Sequence, residues 1–434
     1  MIPNHCLGKE YQAISTVLDQ HPRILEWVAA DLIGGQMKPT GRQGLSVESI
    51  LRAAIVKQHH QFSYGELEVH LVDSNTFSAF CRLGLTNPSK SALQEGISQI
   101  RAETWEKINR ALLTSAHAKG IETGRVVRTD STPIETNIHK PMDSELLWDA
   151  IRVMARMMEE AKKTFPELGF CNRTRAAKKR LLKLRFKSRQ VDQTQMYRDL
   201  LGYTIETIAY MEGAFGRMPL TEPKWAGWHA EAKRIVALAG RLVSQTKRRV
   251  LEGKKVPVDE KIFSLFEDHT DIVVKGRQDI TYGHKVNLTT GQSGLVLDLV
   301  IEKGNPNDVD RAVAMIGRQI DIYGRSPRQC AFDGAYASKA NLREIKALGV
   351  TDVMFQKKKG LEVTDMAKSP WVYRKLRNFR AGIESVISCL KRAFGWKRCT
   401  WKGLARFEAY TWASAVAYNL ATLGRRLIAA ETAA

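Results

Sequence analysis

Arg380, Glu384 and Lys391 have types and a spacing that could do chemistry on a phosphodiester. They lie in the stretch FRAGIESVISCLKRAF, residues 379–394, at the spacing R-x3-E-x6-K. Ile383, Val386, Ile387, Leu390 and Phe394 recur there at helical intervals and form an apolar stripe. At 3.6 residues per turn the acid and both cations fall within about 40° of one another, beside that stripe. A carboxylate so placed can hold a divalent cation, and the flanking cations can grip phosphates on either side. An ordinary i, i+4 surface ion pair accounts for the same spacing.

Metal-dependent attack on phosphorus asks for more than one acid. Two ions about 3.5–4 Å apart activate the attacking oxygen and stabilise the leaving one, and three carboxylates suffice if one bridges. Two upstream aspartates close short strand-like runs. Residues 125–130, RVVRTD, predict a strand that stops at Asp130, with Pro133 arguing against an interior strand. Residues 328–333, RQCAFD, predict another that stops at Asp333 before Gly334. A plain turn aspartate explains either position.

The surrounding elements divide the chain. Residues 1–120 read as an all-helical N-terminal domain. A helix is expected after Leu45, with Val47, Ile50, Leu51, Ala54 and Ile55 on one face. Ser63 with Glu66, and Ser91 with Gln94, look like capping boxes, the second opening a long helix through Leu112. Such helices suit helix-turn-helix DNA binding and a plain bundle equally. Residues 121–434 read as an α/β domain interrupted by a basic helical insertion at about 144–256. In that insertion Arg173, Arg175, Lys178, Lys179, Arg180, Lys183, Arg185, Lys187 and Arg189 come with no acid among them. So one-sided a run favours a phosphate-contacting arm, although charge runs are commonly solvated helix faces. Strands are then expected at 271–274, 282–290, 295–301, 328–333 and 350–355, with helices at 309–322 and 339–348. The basic loop QKKKG, residues 356–360, ends the last strand. Beyond Glu384, Trp396 and Trp401 alternate with cations, a pattern that can stack on unpaired bases or form a basic turn with buried tryptophans. A largely apolar helix is expected over 404–430.

The 434 residues carry a formal net charge of +21. That favours a polyanionic partner, nucleic acid before an anionic membrane. No apolar run approaches a membrane span, and the N-terminal MIPNHCLGKEY lacks a signal-peptide pattern. The six cysteines are scattered without a C-x-x-C, which points to reduced thiols in cytoplasm. No nucleophile elbow, H-E-x-x-H or phosphate-loop lysine pattern is present.

Several of these stretches resemble bacterial insertion-sequence transposases that carry an Asp-Asp-Glu triad on an RNase H-like fold. R-x3-E-x6-K is the core of their Y-x2-R-x3-E-x6-K signature; its tyrosine falls at position 377, where this chain has Arg377. Residues 128–153, RTDSTPIETNIHKPMDSELLWDAIRV, are similar to the family's first-acid region, and His139, Lys140 and Asp143 belong to that motif. YGHKVNL, SGLVLD, GNPND and FDGAYAS continue the likeness. The resemblance implies an RNase H-like mixed sheet with flanking helices, and Asp130, Asp333 and Glu384 as catalytic acids and metal ligands. Asp130 would bridge two Mg2+ ions (or Mn2+), Asp333 would hold one and Glu384 the other. It implies double-stranded DNA as partner, both the element's terminal inverted repeats and the target, with a homodimer on DNA in the bacterial cytoplasm at the nucleoid. Water would attack first, and the freed 3′ hydroxyl would then attack the target. Expected DNA contacts are Arg380, Lys391, Lys357, Lys358, Lys285, Arg175, Lys179, Arg180, Lys183 and Arg185. Two other functions stay open: a catalytically silent DNA-binding repressor derived from a transposase, and an RNase H-like nuclease without strand transfer.

Overall fold

A computed structural model describes residues 2–33, 44–186, 192–218, 222–275, 279–357 and 359–433. Lys358, Lys187 and Arg189 lie outside the described residues. The chain forms two compact units, Met1–Asn137 with Val273–Ala434, and Ile138–Ile272.

The first unit is built on a mixed sheet of β1 (Val126–Glu135), β2 (Asp271–Lys275), β3 (Asp279–Gly291), β4 (Val296–Ile301), β5 (Gln329–Phe332) and β6 (Asp352–Phe355). β3 runs antiparallel to β1 and to β4, with β2 also beside it. On the other side β5 is parallel to β1, and β6 is parallel to β5. This mixed sheet with flanking helices is consistent with an RNase H-like α/β domain. Parallel neighbours need crossovers, and the helices Ala312–Tyr323 and Lys339–Ala347 supply them.

β1 does not stop at Asp130, as the sequence suggested. It pairs with β3 as far as Glu135. Pairing with β5 ends at Thr129, opposite Phe332. Glu135 donates its N–H away from β3, to Lys397 O at 3.2 Å. Alternation by two puts the Pro133 nitrogen on that same side, past the end of β5, so proline removes no ladder bond.

Seven described helices lie between Cys6 and Ala118. They share one hydrophobic core with the sheet and do not form a unit of their own. Ser63 and Glu66 make the expected capping box. The long helix expected from Ser91 to Leu112 is instead two, Lys90–Gln99 capped by Ser89 and Ala102–Ala118. At the break Asp31 accepts the Arg101 N–H at 2.9 Å and its guanidinium as well, which holds that turn open. The helix Leu404–Ala433 is buried on most sides; its Asn419 accepts from Val296 N at 2.9 Å and donates to Asn109.

The second unit holds the helices Asp143–Thr164, Thr174–Arg185, Gln193–Phe215 and Pro223–Thr246 around a separate core. It is wider than the expected insertion at 144–256. His139 and Asp143 have structural work within it. His139 Nε2 meets Asp149 Oδ2 at 2.7 Å, and Asp143 accepts from Gln245 and Arg249. All six cysteines are free. Among the described residues no helix is long and apolar enough to cross a membrane.

Candidate active site: three carboxylates on one guanidinium

The parallel register sets two of the acids. Thr129 pairs with Phe332, so Asp130 and Asp333 occupy the next positions on neighbouring strands, just where the ladder ends. Neighbouring strands lie about 4.8 Å apart. Phe332 pairs with Phe355, and Gln356 N bonds Phe332 O at 3.1 Å, which brings the Lys357 loop alongside. Gly334 makes that approach possible, because a Cβ there would lie 2.7 Å from Lys357 Cβ. The carboxyl ends of β5 and β6, and the point where β1 leaves β5, thus form one edge, the customary ligand side of an open α/β sheet.

The third acid arrives on the helix Pro370–Ala393, which begins nine residues earlier than the sequence pattern suggests. Ser369 caps it and Pro370 takes the first turn, where its missing N–H costs nothing. Ile383, Val386 and Leu390 are buried in the core. Two polar anchors fix its position across the sheet. Tyr373 donates to Phe355 O at 2.8 Å, and Arg128 on β1 donates to Phe379 O at 2.6 Å while covering the Phe379 ring. Phe379 therefore serves as a packing partner of Arg128. Nothing in the sequence pattern marked Arg128; the one available hint was a cation inside an apolar strand, two residues before Asp130.

Arg380 lies among the three acids. Its Nη2 is 2.8 Å from Asp130 Oδ2 and 3.4 Å from Asp333 Oδ1, and its Nη1 is 2.6 Å from Glu384 Oε1. Arg380 is 7 % exposed, whereas the Glu384 side chain is 65 % exposed. Arg380 was expected at DNA phosphates; here it turns inward, because three carboxylates hold its fork more strongly than solvent does. Asp130 Oδ1 also accepts the Ser131 N–H at 2.7 Å. Behind this edge, buried Tyr336 donates to Asn287, which donates to Glu302. Burial first, and the charges of Asp308, Asp130 and Asp333 after it, raise the Tyr336 phenol far above its ordinary range, so it stays a donor.

Among the described residues no three His, Cys, Asp or Glu side chains are grouped as a metal site. The donor set nonetheless fits a hard divalent cation. Three carboxylates already converge on one cationic group, and an all-oxygen set suits magnesium.

The remaining expected DNA contacts separate by environment. Lys285 is buried, bonded to Pro306 O and paired with Asp308 at 2.7 Å, so it does not present itself to a phosphate. Arg180 pairs with Asp199, and Arg185 with Glu145. The acids missing from the run itself come from neighbouring helices. Arg175, Lys179, Lys183 and Lys357 are exposed. Lys391 is half-buried and lines a groove with Pro133, Glu135, Thr281, Arg392 and Lys397. Trp396 and Trp401 are buried, Trp396 donating to Thr411 O, so neither ring offers a stacking face.

A family model described as a transposase DDE domain matches residues 258–420, less than half of the chain. The matched span holds Asp333, Arg380, Glu384 and Lys391 but neither Asp130 nor most of the second unit. No curated protein and no solved structure matches the chain. The family match supports a DDE transposase.

Proposed function

We propose that this chain is a transposase that binds the terminal inverted repeats of an insertion sequence, cuts DNA there and joins the freed end to a target. The observation that carries the reading is the convergence of Asp130, Asp333 and Glu384, from two strands and a helix, on one guanidinium. Asp130, Asp333 and Glu384 would hold Mg2+ or Mn2+. When bound, the metal supplies an activated oxygen nucleophile and charge stabilisation of the leaving oxygen. The chain's own residues do the rest. Arg128 and Tyr373 hold the Glu384 helix against the sheet, and Lys391 and Lys357 meet phosphates of the element's end. The exposed cations of the helix Thr174–Arg185 extend the phosphate contact. Reading of the end sequence falls to the helices of residues 1–120. A homodimer on DNA, at the nucleoid, completes this reading.

Asp130→Asn, Asp333→Asn and Glu384→Gln each keep side-chain volume and remove the charge. Each should abolish cleavage of end DNA in magnesium while leaving DNA binding largely intact. Near wild-type cleavage by any one of them would remove that residue from the metal-binding set. A strand-transfer assay with a pre-cut end separates a transposase from a nuclease, and absence of both activities leaves the repressor.

A further inference from the structure

We propose that Arg380 is a resident counter-cation whose withdrawal gates metal entry. This rests on the reading of Asp130, Asp333 and Glu384 as metal ligands. Without metal, three carboxylates close together repel one another, and the Arg380 fork offsets that repulsion by reaching all three. Its Nε is buried without a hydrogen-bond partner, so the two Nη ends supply the hydrogen bonds that hold the guanidinium. Magnesium binds oxygen at about 2.0–2.1 Å, so its ligands must draw in around the ion. The guanidinium nitrogens, at 2.8, 3.4 and 2.6 Å from the same three acids, lie in that space. Their charge also repels a divalent ion. The ion and the arginine therefore compete for the same oxygens.

Competition has a functional consequence. A guanidinium released from carboxylates is a two-pronged phosphate ligand. Metal entry thereby converts Arg380 from a clamp on the acids into a grip for DNA, and DNA phosphate in turn favours metal entry by holding the displaced fork. Metal and DNA should bind with positive, reciprocal coupling.

The test measures Mn2+ affinity of the full chain by electron paramagnetic resonance of the free ion, with thermal unfolding in chelator alongside. Arg380→Met should bind Mn2+ at least about tenfold tighter than wild type, equivalent to about 1.4 kcal/mol. It should also melt at a lower temperature in chelator and recover on adding Mn2+. Arg380→Lys reaches fewer of the acids and should lie between the two; it carries the comparison if Arg380→Met fails to melt cooperatively. Equal or weaker Mn2+ binding by a folded Arg380 variant overturns the proposal and makes Arg380 a support for the acids. Asp130→Asn and Asp333→Asn should weaken Mn2+ binding. If they do not, the ligand assignment falls and this proposal with it, whereas failure of the Arg380 variants alone leaves the ligand assignment in place.

Discussion

Gly382 owes its importance to what stands beside it. A Cβ at that position would lie 2.1 Å from Arg128 Nη1, inside the space the guanidinium needs to reach Phe379 O. Arg128 cannot simply move aside, because it is 8 % exposed and its Nε donates to Thr290 Oγ1 at 2.9 Å. Gly382→Ala should therefore displace the fork or push the helix off the sheet, at a cost of about 1–3 kcal/mol. Glu384 lies two residues further on, so cleavage of end DNA should fall with stability. Thermal unfolding and a cleavage assay check both, and an unchanged melting temperature would show that Arg128 has room to yield. The buried Arg128 is tolerated because its Nε and Nη1 meet acceptors fixed by the sheet and the helix, Thr290 Oγ1 and Phe379 O.

At the scale of elements, the helix Thr174–Arg185 has two kinds of cation. Arg173 at its cap, Arg180 and Arg185 pair with Glu206, Asp199 and Glu145 and so bind the helix to its neighbours. Arg175, Lys178, Lys179 and Lys183 are exposed, and no ion pair among the described residues involves them. Only the second set is available to a polyanion. Neutralising Arg175, Lys178, Lys179 and Lys183 together should reduce the slope of log affinity against log salt by about 0.9 for each phosphate that is no longer neutralised. Neutralising Arg173, Arg180 and Arg185 should lower the melting temperature and change that slope less. Affinity titrations at several salt concentrations decide it; equal slope changes for both sets would mean that the ion pairs open on binding DNA.

For the molecule as a whole, the histidines set opposite limits on pH. In the first unit Tyr11 OH lies 3.1 Å from His59 Nδ1 and 3.0 Å from His60 Nε2, and His59 stacks on Phe394. Burial lowers both imidazoles to about 4. Unfolded, they take up protons near 6.5, so the unfolded chain binds more protons between those values and stability falls as pH drops through that window. In the second unit the hydrogen bond to Asp149 raises His139 to about 9. Here the folded chain binds more protons, so the stabilisation is complete below about 6.5 and is lost as pH rises towards 9. Calorimetry from pH 4 to 9 should show stability declining on both sides, with the alkaline decline reduced by His139→Gln. A wild-type profile flat from 6.5 to 9 would mean that His139 is not held protonated by its acids.

The sequence determined the parts of this protein that local pattern can encode. Strand-like runs placed Asp333 at a strand end, apolar periodicity put Glu384 on a helix, and the charge excess pointed to a polyanion. Those features follow from residue type and spacing alone. What the pattern could not give depends on partners distant in the chain. β1 continues past Asp130 because β5 has already ended on the side that Pro133 faces. The helix expected from Ser91 is capped by Ser89 and breaks before Ala102, where Asp31, seventy residues from Arg101, takes the Arg101 N–H. Lys285 and Arg380 read as phosphate ligands by type, yet Asp308 in one case and three carboxylates in the other turn them inward. A charge run shows how many cations a helix carries; only packing decides which of them an acid from another helix neutralises. Asp130 and Arg380 are 250 residues apart in sequence, and the side-by-side register of two strands under one helix is what makes them neighbours.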